Sequence, residues 1–395
     1  MLGEILYMLF DICRIFLLEI WHLIKYLWHH PKVLLLTIIL LAVITFQFYR
    51  LSSPGSMLGN NGLDIAATQD IFRGHLFPAG PTAPGSSYAT GPLYYYLVLP
   101  FVWIFGQSGT IVMVEIFTFA TIYLFFFTGR RFFNKDAGLF SATLYAISTF
   151  VLTSSRESAI AAIIPFFVLL FFYMFYCAIG NAKPAKYFIL TGFFLGLCIQ
   201  LNSFALFFLV ILVLYTFFGE WLMHEQILIK ATLKYYALIV LGLILGIFPM
   251  ILADIPDNFA NSKQMFQASY GAIVPAISQP IQYASAVLDG SFRTFMQVVF
   301  NMPSHENLAA LPTNLLIFWQ VFGLLMTLGA LALLAIYRNR FVIMLLGSWT
   351  IFGLLFFGVF SNANMYHLSS FYPIPFLLIG NVLGYIYRLF YQDPW

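Results

Sequence analysis

The sequence predicts an all-α polytopic membrane protein, a bundle of about ten transmembrane helices. Of its 395 residues, 62% are hydrophobic and only 8% are charged. Soluble domains carry roughly a quarter charged residues. The mean hydropathy is +0.90, and apolar runs of about 18 or more residues, the length that crosses a bilayer, recur along the chain. A net charge of +3 is too small to indicate a nucleic-acid partner.

Residues 1–31 are expected to form an amphipathic helix in the membrane interface, ended by Pro31. Charged and imidazole side chains recur there at helical spacing among Leu, Ile, Phe and Trp; they are Glu4, Asp11, Arg14, His22, Lys25 and His29. The helix serves either as a membrane anchor or as a docking element for a protein partner. Residues 32–395 are expected to form the transmembrane domain.

The remaining apolar runs define the predicted spans, which lie near residues 33–50, 110–128, 137–154, 159–179, 235–252, 312–337, 341–360 and 366–387. Residues 187–219 form a run that is too long for one span. We expect it to hold two short helices that break near the polar stretch QLNS, residues 200–203.

The segment GPLYYYLVLPFVWIFGQSG, residues 91–109, is apolar but contains Pro92 and Pro100. The distribution of basic residues indicates whether this segment crosses the membrane, because cytoplasmic loops are enriched in Lys and Arg. If the segment does not cross, 13 of the 18 basic residues lie on the cytoplasmic side. If it crosses, most of the basic residues after it move to the outer side. We therefore predict a re-entrant or juxtamembrane segment, ten spans and cytoplasmic termini. Loops 51–109 and 253–311 then lie on the outer face.

The outer loop 51–109 contains the stretch GNNGLDIAATQDIFRG, which predicts a short helix. Asn60 or Asn61 is expected to cap this helix, and Gly74 to close it. Asp64 is expected in the first turn, where the helix dipole favours an anion. Read by itself, this pattern is explained by helix capping alone.

Six stretches in this order resemble the GT-C class of membrane glycosyltransferases, in particular family 39-like relatives of protein mannosyltransferases and of the lipid A aminoarabinose transferase. The resemblance covers most of the chain from about residue 33 onward. The stretches are GPLYYYLVLPFVWIFG, GRRFFNKDAGLFSATLYAIS, SSRESAIAAIIPFF, LGLCIQLNSFAL, FPMILADIPDNFANSK and MYHLSSFYPIPFLL.

The resemblance implies a GT-C fold and an enzyme that transfers a sugar, with inversion, from a polyprenyl-phosphate donor to an acceptor on the outer face. A carboxylate must accept the acceptor's proton, and cations or amides must hold the leaving phosphate. Asp64 and Asp254 are the candidate bases, and Arg156 is the candidate phosphate ligand. Further candidate substrate ligands are Asn60, Asn61, Glu157, Gln200, Asn202, Tyr366 and His367.

This sequence departs from the family pattern in its polar motifs. Where relatives begin the first loop with an acid, and later place an Arg beside an Asp, this chain has Asn60 and Leu63. Apolar residues 159–162 replace a polar stretch that follows Arg156. The alternative is therefore a catalytically inactive GT-C-like protein that serves as a structural or lipid-binding subunit of a membrane complex. A transporter is the third alternative, although its polar groups would be expected at mid-membrane.

The cysteines, Cys13, Cys177 and Cys198, have no metal-like spacing, and no metal site is predicted. A divalent cation shared by Asp64 and Asp254 is left open. The predicted partners are membrane lipids and a lipid-linked sugar. The family resemblance places the protein in a bacterial or archaeal cytoplasmic membrane.

Overall fold

The computed structural model describes residues 38, 60–74, 79–82, 88–155, 160–180, 184–224, 229–267, 278–292, 295, 298–300, 313–335, 340–359 and 369–391. Within these ranges the chain is helical and has no β-strand beyond one isolated bridge between Thr82 and Ala89. The all-α class is therefore confirmed. The predicted interfacial helix, residues 1–31, and the first predicted span, 33–50, lie outside the described residues apart from Ile38.

The helices are α1 (Asn60–Phe72), α2 (Leu93–Phe105), α3 (Gly109–Phe132), α4 (Lys135–Ile147), α5 (Thr149–Ser154), α6 (Ile160–Gly180), α7 (Ala185–Leu201), α8 (Phe207–His224), α9 (Ile229–Asp254), α10 (260–267), α11 (Pro280–Phe292), α12 (Val298–Phe300), α13 (Thr313–Leu334), α14 (Arg340–Val359) and α15 (Pro373–Tyr391). Short 3₁₀ turns occupy Gly106–Ser108 and Ser203–Leu206.

Among the described residues, five stretches are long and apolar enough to cross a membrane: Leu93–Phe132, Ile160–Ile179, Leu233–Asp254, Ile317–Leu334 and Pro373–Phe390. Shorter apolar helices lie at Ala185–Leu201, Ser203–Tyr215 and Arg340–Phe356. Together they account for most of the spans predicted after residue 109. The predicted span 137–154 is instead divided at Ser148 into α4 and α5.

The segment 91–109 does not continue α3 as one straight helix. Gly106 has a φ of +59° and ends α2. A Cβ added at Gly109 would lie 2.4 Å from the Phe101 carbonyl carbon, so the chain folds back on itself between the two helices. The 13 residues of α2 span about 20 Å at 1.5 Å per residue, which is less than the ~30 Å hydrocarbon core. This geometry supports a re-entrant or juxtamembrane helix.

The predicted break near residues 200–203 is observed. Asn202 has extended backbone angles, and its side chain accepts a 3.0 Å hydrogen bond from the Phe204 amide at the start of the following 3₁₀ turn. The polar stretch therefore ends α7 and restarts the chain as α8.

Glycines bring α7 and α9 into backbone contact. A Cβ at Gly192 would lie 1.9 Å from the Ile239 carbonyl oxygen, and one at Gly242 would lie 1.9 Å from the Ile189 carbonyl oxygen. Gly196 and Gly246 meet one turn further along. Small residues spaced by four are the usual means of close helix packing in membranes, where backbone approach replaces hydrophobic burial as the driving force.

Aromatic rings fill the interior between the other helices. Trp349 stacks on Phe172 with ring centroids 3.8 Å apart, and Phe125, Tyr145 and Phe376 form a second cluster with centroids 4.7–5.7 Å apart. All five side chains are buried. The aromatic content of 19% is thus used in part for packing between helices.

Contacts define two ends of the bundle. The polar end contains Asp64, Tyr88–Pro92, Gln200–Ser203, Asp254–Ser262 and Ser369. The basic end contains Arg130, Arg131, Lys135 and Arg388. There the Arg388 Nε lies 3.7 Å from the Asp136 Oδ2. Because α3 and α15 each run from the polar end to the basic end, the two groups of side chains are separated by the length of a helix.

Candidate functional site

Asp64 lies on the inner side of α1. The helix begins at Asn60, so Asp64 is its fifth residue and does not belong to the first turn, contrary to the expectation from the sequence. Its side chain is 3% exposed, whereas Leu63 beside it is 69% exposed. Asp64 is close enough to the Tyr95 hydroxyl of α2 to interact with it electrostatically. Its burial against a neighbouring helix is not explained by capping.

The second acid of α1 has a different environment. Asp70 is exposed and forms a 3.3 Å ion pair with Arg73, one turn along the same helix. The helix ends in a left-handed Gly74, with a φ of +100°, as predicted. An exposed i,i+3 pair contributes only a few tenths of a kcal/mol. Asp70 therefore forms only a local ion pair on the surface of α1, whereas Asp64 is buried in the protein interior.

Asp254 is the last residue of α9 and is also buried. One carboxylate oxygen accepts a 3.1 Å hydrogen bond from the Asn261 amide. The other accepts hydrogen bonds from the Ser262 amide at 2.8 Å and the Ser262 hydroxyl at 2.5 Å. This carboxylate is held at the N-terminus of α10.

A cavity of about 550 Å³ opens between the Asp254 segment and the chain before α2. Its polar lining consists of Thr90, Asp254, Asp257, Asn258, Asn261 and Gln264. Binding pockets for small ligands have volumes of roughly 300–1,000 Å³. Neither Asp64 nor a basic residue is among the described residues of its lining, so these contacts offer hydrogen bonds and negative charge without a cation for a phosphate.

Gln200 and Asn202, predicted to line the substrate site, are fully buried. The Gln200 amide nitrogen donates to the Gly246 carbonyl, and its backbone carbonyl accepts a 2.7 Å bond from the Gly91 amide. The Asn202 amide nitrogen donates to the Ser369 hydroxyl at 3.2 Å. The Gln200 side chain thus joins the end of α7 to α9, and the Asn202 side chain joins it to the chain before α15. Their role as substrate ligands stays a prediction.

Gly91 fits directly against Gln200. A Cβ at Gly91 would lie 2.7 Å from the Gln200 Oε1 and 2.8 Å from its Cγ. Beside it, the Tyr88 hydroxyl shares a 2.7 Å hydrogen bond with the Ser203 hydroxyl. Burial raises the pKa of Tyr88 above its ordinary value, and the hydrogen bond to Ser203 opposes part of that rise.

Four predicted ligands, Arg156, Glu157, Tyr366 and His367, lie outside the described residues. For Asn60 and Asn61 the structure describes the helical backbone only. The other four predicted residues, Asp64, Asp254, Gln200 and Asn202, all lie at the polar end. The Gly91 amide joins Gln200 to the chain before α2, Asn261 and Ala89 join Asp254 to the same chain, and Asp64 lies against α2. Their common role in one substrate site stays a prediction.

Glu115 is a buried acid that the sequence reasoning did not single out. It is fully buried in α3, less than two turns from Gly109, and α3 contacts both α1 and α2. A lone Glu in the run IVMVEIFTF was the available signal, because an ionisable residue inside a membrane helix is a candidate functional group.

The comparisons with known proteins agree with this fold. Residues 89–251 match the family described as dolichyl-phosphate-mannose-protein mannosyltransferase. No curated protein has a significant sequence match. ArnT from Cupriavidus metallidurans, solved with undecaprenyl phosphate, superposes with a TM-score of 0.55 at 12% identity, over 89% of this chain and 60% of that one.

The archaeal oligosaccharyltransferase AglB from Archaeoglobus fulgidus, solved with an inhibitory peptide and a dolichol-phosphate, also superposes with a TM-score of 0.55. Its identity is 15%, over 92% of this chain and 52% of that one. A structure of the same oligosaccharyltransferase with zinc and sulfate gives a TM-score of 0.52 at 15% identity, over 91% and 51% of the two chains. This chain thus spans roughly half to three fifths of the lengths of these proteins.

These findings confirm the resemblance to the GT-C class: the chain is a membrane protein with the GT-C fold. More particularly, residues 89–251, from the chain before α2 into the last turn of α9, match the mannosyltransferase family named above. At these identities the solved structures establish the fold alone.

Proposed function

We propose that the protein is a GT-C glycosyltransferase that takes a sugar from a polyprenyl-phosphate carrier and transfers it to an acceptor at the polar end of the bundle. The observation that carries this proposal is the burial of Asp64 against α2, where it faces Tyr95. A carboxylate placed inward on a short helix beside the membrane can be held at fixed geometry for proton transfer.

In the proposed reaction the acceptor hydroxyl attacks the anomeric carbon of the sugar, and Asp64 takes the hydroxyl proton. The bond between the anomeric carbon and the phosphate oxygen breaks, and the polyprenyl phosphate leaves with the electron pair. Attack opposite the leaving group inverts the anomeric centre. Arg156 is the proposed partner of the leaving phosphate, since a guanidinium can bind phosphate oxygens in bidentate fashion.

The roughly 550 Å³ cavity beside Asp254 is proposed to hold the uncharged, hydroxyl-rich part of a substrate. Its described lining offers amides, a hydroxyl and carboxylates, which suit hydroxyl groups and do not suit a phosphate dianion. The described residues contain no group of three His, Cys, Asp or Glu side chains that could hold a metal ion.

The positive-inside rule supports an orientation in which the basic end faces the cytoplasm and the polar end faces outward. The proposed compartment is a bacterial or archaeal cytoplasmic membrane. The carrier, the acceptor and the orientation are all parts of this proposal.

A second candidate function is a GT-C-like scaffold or lipid-binding subunit without catalysis. It is supported by the exposed Leu63, in place of the Arg expected from the family resemblance, and by the full burial of Gln200 and Asn202 in contacts within the protein. Such a subunit would bind a lipid phosphate, or a protein partner through residues 1–31, without turning over a donor.

Binding of a lipid phosphate tests the property that the transferase shares with a lipid-binding subunit. The chain in lipid nanodiscs is expected to retain undecaprenyl phosphate in native mass spectrometry in preference to undecaprenol, which has the same prenyl chain and lacks only the phosphate. Equal retention of undecaprenyl phosphate and undecaprenol would contradict a phosphate-binding site.

A further inference from the structure

Asp254 connects the end of α9 to the start of α10. The chain between them reverses direction through Asn258 and Phe259, which have φ values of +53° and +58°. This left-handed conformation is uncommon for residues other than glycine and is strained for a bulky one. The reversal brings residues 261 and 262 back onto the Asp254 carboxylate.

The carboxylate satisfies amides that have no partner inside a helix. The first N–H groups of any helix lack an intrahelical acceptor, and a negative charge there is favoured by the helix dipole. Asp254 accepts from two successive amides of the first turn of α10 and from the Ser262 hydroxyl. It therefore fixes the position and direction of this helix start.

Asn261, in that same first turn, pairs with the backbone of Ala89. Its Oδ1 accepts a 2.7 Å hydrogen bond from the Ala89 amide, and its Nδ2 donates a 2.9 Å bond to the Ala89 carbonyl. A primary amide that uses both of its functions on one residue imitates the pairing of a neighbouring strand. Residues 172 apart in sequence are joined in this way.

We propose that Asp254 is a positioning residue of the transfer site: through α10 and Asn261 it holds Ala89, and with it the chain that leads into α2 and its Tyr95. The transfer site in this inference rests on the proposed function, whereas the linkage from Asp254 through Asn261 to Ala89 rests on the hydrogen bonds. It assigns Asp254 a role different from that of general base, and it assigns a role to Asn261 that the sequence did not indicate.

The linkage is local, which makes it testable. Other parts of the same segment have their own anchors: Tyr88 bonds to Ser203, the Thr90 amide to the Pro81 carbonyl, and the Gly91 amide to the Gln200 carbonyl. Removing Asn261 therefore releases the Ala89 amide and leaves the neighbouring amides protected.

Hydrogen exchange of the Ala89 amide, measured by mass spectrometry with residue-level fragmentation, tests the linkage without any substrate. In Asn261→Ala and in Asp254→Ala the exchange of Ala89 is expected to accelerate at least roughly tenfold, the effect of losing one hydrogen bond. Gln264→Ala is the matched control, since Gln264 is an exposed residue of the same helix that lines the same cavity. Unchanged exchange of Ala89 in the Asp254→Ala and Asn261→Ala variants would overturn the proposal.

A sugar-transfer assay distinguishes a positioning residue from a general base. With undecaprenyl-phosphate-mannose as donor and membranes as the source of acceptor, Asp254→Asn and Asn261→Ala are expected to lower kcat by similar factors. Both should keep the acid limb of the wild-type pH–rate profile. Asn261→Asp, which keeps an acceptor for the Ala89 amide, should recover part of the rate.

A loss of 10²-fold or more in Asp254→Asn alone, the size expected for removing a general base, would overturn the positioning role even if Ala89 exchange responds. If the wild-type protein transfers no sugar, the proposed function fails, and the exchange experiment still decides whether Asp254 and Asn261 hold Ala89.

Discussion

At the scale of single residues, Tyr88 and Ser203 join the chain before α2 to the break between α7 and α8. Their 2.7 Å hydrogen bond is buried and links positions 115 residues apart. Ser203 belongs to the polar stretch QLNS, but Tyr88 does not stand out in the sequence, because a tyrosine in a Ser- and Gly-rich loop is not distinguishable from an interfacial anchor. The partner of such a side chain is set by the fold and not by its neighbours in sequence.

Tyr88→Phe removes this bond and leaves the Ser203 hydroxyl without its partner. We expect a loss of about 1–3 kcal/mol, the usual penalty for a buried group whose partner is deleted. The measurement is the shift in thermal unfolding in detergent. Tyr123→Phe is the control, since Tyr123 is an exposed tyrosine of α3.

The same pair has a pH signature. The pKa of Tyr88 is raised by burial above the ordinary 10.0, so folding favours its neutral form. Its contribution is fully present below pH 10 and is lost as the pH rises through the higher pKa of the folded state. Between pH 9 and pH 11, wild type should therefore lose more stability than Tyr88→Phe, and parallel losses would contradict this assignment.

The two acids of the proposed site also differ in how far the sequence predicted them. Asp64 was recognised as a candidate base through the family resemblance, but the sequence placed it in the first turn of α1. Its inward direction depends on where the helix begins, and helix starts are poorly defined by sequence. The contacts of Asp254 depend on a reversal through a left-handed asparagine and phenylalanine, which no turn pattern predicts.

At the scale of elements, hydropathy located most spans after residue 109, and the polar stretch QLNS located the break between α7 and α8. The division of residues 137–154 was missed. Ser148 ends α4 and caps α5, and its hydroxyl donates a 2.6 Å bond to the Val298 carbonyl. Because that acceptor lies 150 residues away, the apolar pattern around Ser148 contains no sign of the break.

The glycine contacts between α7 and α9 give a direct test of an element-level interaction. Gly242→Ala places a methyl group 1.9 Å from a backbone oxygen, which the helices can relieve only by moving apart. We expect a clear fall in the unfolding temperature, with overpacking typically costing about 1–3 kcal/mol.

Gly347→Ala in α14 is the control, since a Cβ there meets no atom within 4 Å. Replacing a helical glycine by alanine in open space is neutral or stabilising by up to about 1 kcal/mol. Equal effects of the two substitutions would show that the close approach of α7 and α9 is not a source of stability.

At the scale of the whole molecule, Asp64, Asp254 and the buried amides lie at one end of the bundle, and a group of basic residues lies at the other: Arg130, Arg131, Lys135 and Arg388. Composition and the positive-inside rule were sufficient to predict this separation. The family resemblance predicted a shared site for Asp64, Gln200 and Asp254, and that site stays a prediction. The pairings inside the polar end were not predicted from the sequence, because they join residues through single hydrogen bonds.

Single-cysteine labelling tests the proposed orientation. In a background without Cys13, Cys177 and Cys198, a membrane-impermeant maleimide is expected to label Lys263→Cys in intact cells. Lys135→Cys should react only after the membrane is opened. Both lysines are exposed, at the polar and the basic end respectively. The reverse pattern would place the proposed site on the cytoplasmic side.

The most direct test of the central claim is sugar transfer by Asp64→Asn compared with Asp70→Asn, an exposed acid on the same helix. With undecaprenyl-phosphate-mannose as donor and membranes as the source of acceptor, the account predicts transfer by wild type and by Asp70→Asn. It predicts a loss of at least roughly 10²-fold in Asp64→Asn, the size expected for a general base. Full transfer by Asp64→Asn, or no transfer by the wild-type chain, would contradict it.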